Sequence, residues 1–266
     1  MNTNYKSKDP ITLDLSKYGI DGESCQWHDF DHPMHQMAPF DQVFSYYWND
    51  YHYSKWIQPG MTCVDIGAHI GDTALPMMVA CRATVLAIEP NTYMLPFLEK
   101  NCAANKHFGQ FVTATEAVTS EPSDSLIFGD HNNSMVNGGI LDKTWDTGTT
   151  TFVKGMTANT MTVKGMSFDD ICQKYLTTEQ IKNIGFIKTD TEGHDIEIIR
   201  NMREFLQKQK PVLLTEWFFG YSQADSKKLF EAIQDAGYVP HNPKTMELAD
   251  LDHRIEDLLC IHQDNL

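Results

Sequence analysis

Short apolar runs alternate with amphipathic segments from about residue 60 to the C-terminus. The runs are rich in Val, Ile and Leu and predict strands over 62–67, 84–90, 110–119, 184–190, 211–217, 238–241 and 258–263. Helical periodicity and capping residues predict helices over 72–82, 92–105, 167–176, 197–209 and 222–237. Pro76 and Pro96 should shorten or kink two of these helices. The alternation predicts an α/β fold with a mostly parallel seven-stranded sheet and helices on both faces.

Three segments depart from this alternation. Residues 1–40 are polar and rich in His, Asp and Pro, and they predict an irregular N-terminal lead-in to a single domain over 41–266. The run over 41–57 places aromatic residues at helical spacing, which predicts a helix packed into the core. In the middle, Gly, Asn and Thr residues predict an insertion at about 129–165, an antiparallel β-hairpin that turns at 157–159.

Composition narrows the class of protein. At 266 residues with 41% hydrophobic residues, the chain suits one large α/β domain with a full core. Its formal net charge of -15 argues against a nucleic-acid partner. No run approaches about 18 consecutive apolar residues, and residues 1–10 lack the apolar part of a signal peptide. The 6 cysteines are widely spaced, which indicates buried, reduced thiols and predicts a cytoplasmic enzyme without a membrane span.

The segment CVDIGAHIGD, residues 63–72, carries the first candidate chemistry. The spacing of Gly67 and Gly71 matches neither the dinucleotide-binding fingerprint nor the P-loop. Asp65 ends the first strand and Glu89 the second, at the edge where ligands bind in open parallel sheets. Glu89 could accept both hydroxyls of a ribose, the helix start favours a carboxylate, and Asp65 favours an amino group. S-adenosylmethionine has all of these groups and no phosphate.

A resemblance to a known family rests on five segments, which are, in order, VDIGAHIGDTAL, VLAIEPN, EAVTS, IGFIKTDTEGHDIEII and PVLLTEW. Its most specific part is a K-x-D-x-E-G-x-[ED] box that comprises Lys188, Asp190, Glu192, Gly193 and Asp195. Over about residues 57–263 the chain resembles the FkbM family of methyltransferases. The resemblance implies a Rossmann-like, class I enzyme that methylates oxygen with S-adenosylmethionine.

The resemblance also implies which residues contact the cofactor. They are Asp65, Gly67, His69 and Gly71 at the methionine part, Glu89 at the ribose, Glu116 and Ala117 beside the adenine, and Asn91 and Asp190. His69 stands where the family more often has Asn. Asn91 could equally cap the helix that follows it. In the segment GDHNNSM, Asn133 and Ser134 could contact cofactor or substrate, or could serve only as turn residues.

The acidic box raises the question of how an acceptor hydroxyl is activated. Methyl transfer is an in-line displacement, so the enzyme has to position and deprotonate the acceptor oxygen. Asp190, Glu192 and Glu216 could hold Mg²⁺ or another divalent cation, which would relieve their mutual repulsion, and Glu216 could also contact the substrate. Alternatively, His194 or His131 could be the base. Glu192 could instead only cap the following helix. The catalytic candidates are therefore Asp190, Glu192 and His194.

Together these features favour an S-adenosylmethionine-dependent O-methyltransferase that acts on a hydroxyl of a sugar, glycan or related small molecule. An NAD(P)-linked oxidoreductase is an alternative, because it also uses a ribose-binding acid, but the G-x-G pair that it needs is missing. A cofactor-binding scaffold that has lost catalysis is another, and the intact D-x-E-G box counts against it. The acceptor and the oligomeric state do not follow from the sequence.

Overall fold

The computed structural model of the protein describes residues 6–31, 38–130, 138–140 and 160–266. Its strands are β1 (Lys6–Ser7), β2 (Ile11–Asp14), β3 (Ser24–Trp27), β4 (Phe30–Asp31), β5 (Thr62–Ile66), β6 (Thr84–Ile88), β7 (Gln110–Ala114), β8 (Ala117–Val118), β9 (Ser123–Asp130), β10 (Gly138–Ile140), β11 (Thr160–Met166), β12 (Ile184–Thr189), β13 (Val212–Glu216), β14 (Tyr238–His241) and β15 (Asp257–His262). Its α-helices are α1 (Phe40–Ser45), α2 (Tyr53–Trp56), α3 (Ala74–Cys81), α4 (Leu95–Ala104), α5 (Phe168–Tyr175), α6 (Thr178–Lys182), α7 (Asp195–Asn201), α8 (Arg203–Gln209) and α9 (Gln223–Asp235).

A seven-stranded sheet forms the centre of the protein, in the order β14-β15-β13-β12-β5-β6-β7. The strands from β13 to β7 are parallel, and β15 is antiparallel to both of its neighbours. Cys63 of β5 packs into one buried cluster, whereas Val64 and Ile66 pack into another, so each face of the sheet has its own core. All of β5 is buried, as in sheets covered on both faces. The predicted fold class is confirmed.

The strand order also fixes where a ligand can bind. β5 lies between β6 and β12, so the chain turns to opposite sides of β5 as it builds the two halves of the sheet. In this register Ile66 at the end of β5 pairs with Thr189 at the end of β12. Ligands bind outside the carboxyl ends of the strands at such a reversal of strand order. The glycine turn after β5 and the acidic box after β12 therefore lie side by side.

The helix predicted over 41–57 is interrupted in the structure. A π-helical turn over Tyr46–Asp50 follows α1, and the N–H of Tyr51 donates to the carbonyl of Tyr46 at 3.0 Å. His52 then has a left-handed φ of +56°, which separates this turn from α2. The predicted packing into the core is confirmed, since Phe44 and Tyr51 are buried in the core cluster. The unbroken helix was wrong, because the spacing of the aromatic residues does not reveal where the backbone bonds lengthen to the i→i+5 pattern of a π-turn.

The other helices differ less from their predictions. Pro76 and Pro96 lie in the first turns of α3 and α4, where a backbone N–H has no intrahelical partner to lose. Both helices consequently begin a few residues later than predicted, and neither is broken. The helix predicted over 197–209 is divided at Met202, whose ψ of 0° departs from helical values.

The strand predicted over 110–119 ends at Ala114. Ala117–Val118 instead pair with β11, and the N–H of Thr119 donates to the carbonyl of Met166 at 2.9 Å. They form part of a second, mostly antiparallel sheet in the order β10-β9-β11-β8. The turn predicted at 157–159 lies outside the described residues. Within those residues, β11 pairs antiparallel with β9.

The N-terminal segment is more regular than the sequence predicts. β2 pairs with β3, and β1 with β4, as short antiparallel pairs. Leu15, Trp27 and Phe30 of this segment are buried in the core cluster that also contains α3 and α4. The polar composition of the segment did not predict this burial, because only alternate residues of the short strands face the core. The division of the chain into a lead-in and a domain stays a prediction.

All 6 cysteines are buried free thiols, as predicted. Within the part of the chain that the structure describes, no helix has the length and apolar character needed to cross a membrane.

Asn101 of α4 and Asn105, which directly follows α4, attach the N-terminal segment to this helix. Asn101 accepts a hydrogen bond from the N–H of His28 at 2.7 Å and donates to its carbonyl at 3.0 Å. Asn105, one turn later, bonds the N–H and carbonyl of Gln26 in the same way, at 2.8 and 2.7 Å. The two side chains thus bond the backbone of β3 and of the residue that follows it, as the backbone of a neighbouring strand would. Asn101 also donates to the carbonyl of Ile70 at 2.8 Å, which ties the glycine turn to α4.

We expect Asn101→Ala to lower the free energy of unfolding by about 2–4 kcal/mol, because it leaves several buried backbone groups without partners at about 1–3 kcal/mol each. Urea unfolding followed by circular dichroism measures this. Asn49→Ala removes an exposed amide with a single side-chain contact and serves as the matched control. Equal unfolding midpoints for the two variants would show that the α4 amides do not hold the segment.

Candidate active site

A cavity of about 230 Å³ opens at the carboxyl ends of β5, β6 and β12. One wall consists of the glycine turn, and a second consists of the residues that follow β6. A third wall, formed by β8, β9 and β10, is mainly apolar. The acidic box closes the remaining side. The sequence-predicted site residues that line the cavity are Gly67, His69, Glu89, Asn91, Ala117, Asp190, Glu192 and His194.

The glycine turn has a backbone conformation that glycine adopts most readily, with φ of +83° at Gly67 and +94° at Gly71. A Cβ atom at residue 67 would lie 1.9 Å from the carbonyl oxygen of Asp190. The N–H groups of Gly67 and Ala68 both donate to the carbonyl of Ile88, at 3.0 Å each. The close approach that requires glycine at 67 is therefore the contact between the turn and the acidic box, before any ligand binds.

Glu89 occupies the position predicted for a ribose-binding acid. Its carboxylate accepts the N–H of His69 on Oε2 and the N–H of Asn91 on Oε1, each at 2.7 Å. Burial raises the pKa of Glu89, and the two backbone donors act in the opposite direction. Asn91 accepts the N–H of Tyr93 at 3.0 Å, so the side chain organises the turn before α4. Each oxygen of Glu89 keeps a second lone pair for a ligand hydroxyl.

Asp65 lies beneath the turn and is not among the described residues that line the cavity. Its Oδ2 accepts from the hydroxyl of Thr73 at 2.5 Å, and its Oδ1 lies 3.8 Å from the ammonium of Lys188. Burial raises the pKa of Asp65 to about 6, although Lys188 and Thr73 oppose the shift. The structure thus assigns Asp65 to the support of Lys188, rather than to the direct ligand contact that the sequence predicts.

Asp72, which the sequence analysis missed, lines the cavity instead. Its carboxylate lies 3.8 Å from Nδ1 of His69. Burial lowers the pKa of His69, but Asp72 and Glu89 outweigh it, and the pKa is raised. Burial likewise raises the pKa of Asp72, but His69 outweighs it, and the pKa is lowered. Each member of the pair therefore shifts the pKa of the other towards its charged form. Its place at the first residue of the predicted helix was the only signal for Asp72.

The apolar side of the cavity is built by the second sheet. Ala117, Val118, Phe128 and Ile140 line it. Glu116, predicted beside Ala117 at a cofactor, is instead bonded to α5, with Lys174 Nζ at 2.6 Å and the hydroxyl of Tyr175 at 2.9 Å. It is not among the described residues that line the cavity. The sequence misplaced Glu116 because the chain leaves the main sheet directly before it.

The acidic box presents three of its side chains to the cavity. Asp190 is about one-third exposed, and its Oδ2 accepts from Lys188 Nζ at 3.1 Å. Glu192 has a left-handed φ of +57°, a costly conformation that points to a local functional constraint. His194 is buried at the start of α7. Asp195, also buried, accepts a long bond from the N–H of Thr191, at 3.4 Å, which ties the box to the first residue of α7.

The predicted metal site does not form among the described residues. They contain no group of three or more His, Cys, Asp or Glu side chains placed to hold a metal ion. Glu216 lies half-buried at the end of β13, and it is not among the described residues that line the cavity. Burial and neighbouring carboxylates raise its pKa well above the ordinary value. The ammonium of Lys188, 3.1 Å from Asp190, relieves part of the repulsion that led to the metal prediction.

The predicted roles of Asn133, Ser134 and His131 concern positions outside the described residues, and they stay predictions.

Comparison with solved structures finds distant likenesses. The FkbM methyltransferase from Methylobacillus flagellatus KT is 14% identical, with 84% of this chain and 58% of that chain covered and a TM-score of 0.47. The precorrin-6y C5,15-methyltransferase from Geobacter metallireducens GS-15 is 13% identical, with 87% and 91% covered and a TM-score of 0.40. A geranyl diphosphate methyltransferase in complex with SAM is 11% identical, with 84% and 85% covered and a TM-score of 0.41. Likenesses this distant carry no functional argument.

The sequence comparisons are more decisive. No curated protein sequence matches the chain. The family model of the methyltransferase FkbM domain matches residues 65–240, which run from the end of β5 into β14 and include both the glycine turn and the acidic box. The predicted resemblance is confirmed, and the chain belongs to the FkbM methyltransferase family.

Proposed function

We propose that the protein transfers the methyl group of S-adenosylmethionine to a hydroxyl of a sugar, glycan or related small molecule. The observation that carries the proposal is one cavity in which a ribose-binding acid, an apolar wall and an acidic box meet. Family membership supports the reaction class. The chain spans 58% of the length of the FkbM structure named above, so the activity of that whole protein is not assumed for it.

The residues present fit the cofactor. The free lone pairs of Glu89 would accept the ribose hydroxyls, and Val118, Phe128 and Ile140 would cover the adenine. Asp72 and Lys188 supply an anion and a cation for the amino and carboxylate groups of the methionine part. The bound cofactor supplies an electrophilic methyl group on a sulfonium. The protein would hold both partners in line and exclude water.

Asp190, Glu192 and His194 would hold the acceptor on the opposite side of the cavity. Asp190 is the residue we assign to the acceptor hydroxyl, because its carboxylate reaches the cavity and lies 3.1 Å from the ammonium of Lys188. A charged carboxylate accepts a hydrogen bond from the hydroxyl, which raises the electron density on the attacking oxygen. The O–C bond forms as the C–S bond breaks, and the hydroxyl proton leaves.

We expect Glu89→Ala to weaken binding of S-adenosylhomocysteine by about 1–3 kcal/mol, or about 5- to 150-fold, because the ribose loses a charged acceptor. Isothermal titration calorimetry measures the affinity, and the unfolding midpoint confirms that the variant is folded. Glu99→Ala, on the exposed side of α4, should bind as the wild type does. An NADH titration tests the oxidoreductase alternative. Unchanged affinity in Glu89→Ala, or tight binding of NADH alone, would contradict the proposal.

An acceptor can be sought by methyl uptake from labelled S-adenosylmethionine into nucleotide sugars and oligosaccharides. With an acceptor found in this way, we expect Asp190→Asn to lower kcat by about 100-fold or more, the usual contribution of general-base catalysis. Affinity for S-adenosylhomocysteine should change little. Asp235→Asn, at the exposed end of α9, is the charge-matched control. A kcat near that of the wild type would remove Asp190 from this role.

The same assay tests whether activity depends on a metal ion. We expect full activity after thorough treatment with EDTA, because the described residues contain no group placed to hold a metal ion and Lys188 lies 3.1 Å from Asp190. Loss of activity that Mg²⁺, Mn²⁺ or Ca²⁺ restores would overturn this expectation.

A further inference from the structure

Four side chains connect the buried edge of the main sheet to the surface. Asp257, the first residue of β15, is 8% exposed, and its Oδ2 accepts from the hydroxyl of Tyr51 at 2.6 Å. That hydroxyl contacts the hydroxyl of Tyr46. The hydroxyl of Tyr46 lies 2.8 Å from Oε2 of Glu256, an exposed residue. An unbroken line of oxygen contacts therefore runs from Asp257 to solvent.

The protons in this line can be counted. Three oxygen–oxygen contacts need three protons, and the two tyrosines supply only two. The third proton must reside on Asp257 or on Glu256. If it is on Glu256, then Glu256, Tyr46 and Tyr51 each donate inward, and Asp257 is charged. If it is on Asp257, then Asp257, Tyr51 and Tyr46 each donate outward, and Glu256 is charged. The two arrangements differ only by a shift of each proton across one contact.

The inner end of the line lies within the electrostatic influence of Asp190, and Asp257 itself is not among the described residues that line the cavity. Asp257 pairs with Glu216 across β13 and β15, at the edge that carries the acidic box. Burial is the main reason why the pKa of Asp257 is raised to about 7, and the charge of Asp190 adds to it. The groups that face Asp257 are Asp190, Tyr51, Lys188, Glu256 and Glu216. Asp257 can therefore both hold and release a proton near neutral pH.

The π-helical turn fixes the geometry of the two tyrosines. Because Tyr51 closes the turn on Tyr46, their rings pack with centroids 4.3 Å apart, and their hydroxyls meet. Burial raises the pKa of both tyrosines, so neither would persist as a free phenolate. Each can still pass a proton by donating and accepting at the same time. At the outer end, Lys244 Nζ lies 4.4 Å from the centre of the Tyr46 ring.

We propose that Asp257, Tyr51, Tyr46 and Glu256 form a proton relay that carries the proton lost by the acceptor hydroxyl to solvent. The inference rests on the proposed function. When the methyl group leaves the sulfonium, the acceptor oxygen forms its new bond and gives up its proton to Asp190, from which it passes to the carboxylate of Asp257. Glu256 releases its own proton to water, and the hydroxyls of Tyr46 and Tyr51 turn to donate outward. One proton then moves outward across each of the three contacts, which restores the starting arrangement. No oxidant or further reactant is needed.

The test measures the coupling between the two ends of the relay in the full chain without ligand. Infrared titration with carbon-13-labelled aspartate follows the carboxyl of Asp257, which Asp257→Asn identifies by difference. Glu256→Gln should shift this titration by about 1 pH unit if the relay joins the two groups. In the Tyr51→Phe background the same substitution should shift it far less. Tyr18→Phe, whose hydroxyl bonds the carbonyl of Asp41, is the control background.

Two results would overturn the relay. An equal shift in the wild-type and Tyr51→Phe backgrounds would show that Glu256 acts on Asp257 only through its electric field. No shift in either background would show that the ends are not connected. If Tyr51→Phe does not fold, Tyr46→Phe breaks the line one contact further out and gives the same comparison. Loss of cofactor binding in the calorimetric test would instead refute the proposed function and leave this coupling measurable.

Discussion

The buried ammonium of Lys188 is the interaction on which the rest of the site depends. The side chain is 1% exposed and lies 3.1 Å from Asp190 and 3.8 Å from Asp65. Burial lowers the pKa of Lys188, but the two carboxylates outweigh it, and the pKa is raised. Loss of either acid would leave the buried ammonium with one acidic partner instead of two, which is destabilising. One cation thus joins the end of β5 to the end of β12.

A backbone constraint reinforces this charge. Because Gly67 has no side chain, the carbonyl of Asp190 lies against the glycine turn, and the turn is also fixed by the carbonyl of Ile88. Asn101 then ties the far end of the turn to α4 and to the N-terminal segment. The turn is held on three sides before a ligand arrives. Because the loops of such a site are already ordered, the free energy of ligand binding is reduced less by the cost of ordering them.

The sequence predicted the parts of the site that follow local rules. Glu89 and Gly67 could be located because strand ends and turn glycines have recognisable spacings. Asp72 could not, because a helix start does not show whether its acid faces solvent or a cavity. The contact of Tyr51 with Asp257 joins residues 206 apart in the chain, and no local pattern encodes it. The raised pKa of Glu216 could not be predicted from sequence, because it depends on burial and on carboxylates that only the fold brings together.

Burial also explains how so many acids share one sheet edge. Each acquires its own partner: Glu89 has two backbone N–H groups, Asp72 has His69, and Asp257 has Tyr51. The pKa of Glu216, which lies among like charges, is raised instead. Acids with a hydrogen-bond or ion-pair partner and acids whose pKa is raised by burial and like charges therefore lie at the same edge of the sheet. The low-polarity surroundings make each buried charge costly, and the partner that each acid finds determines how far its pKa moves.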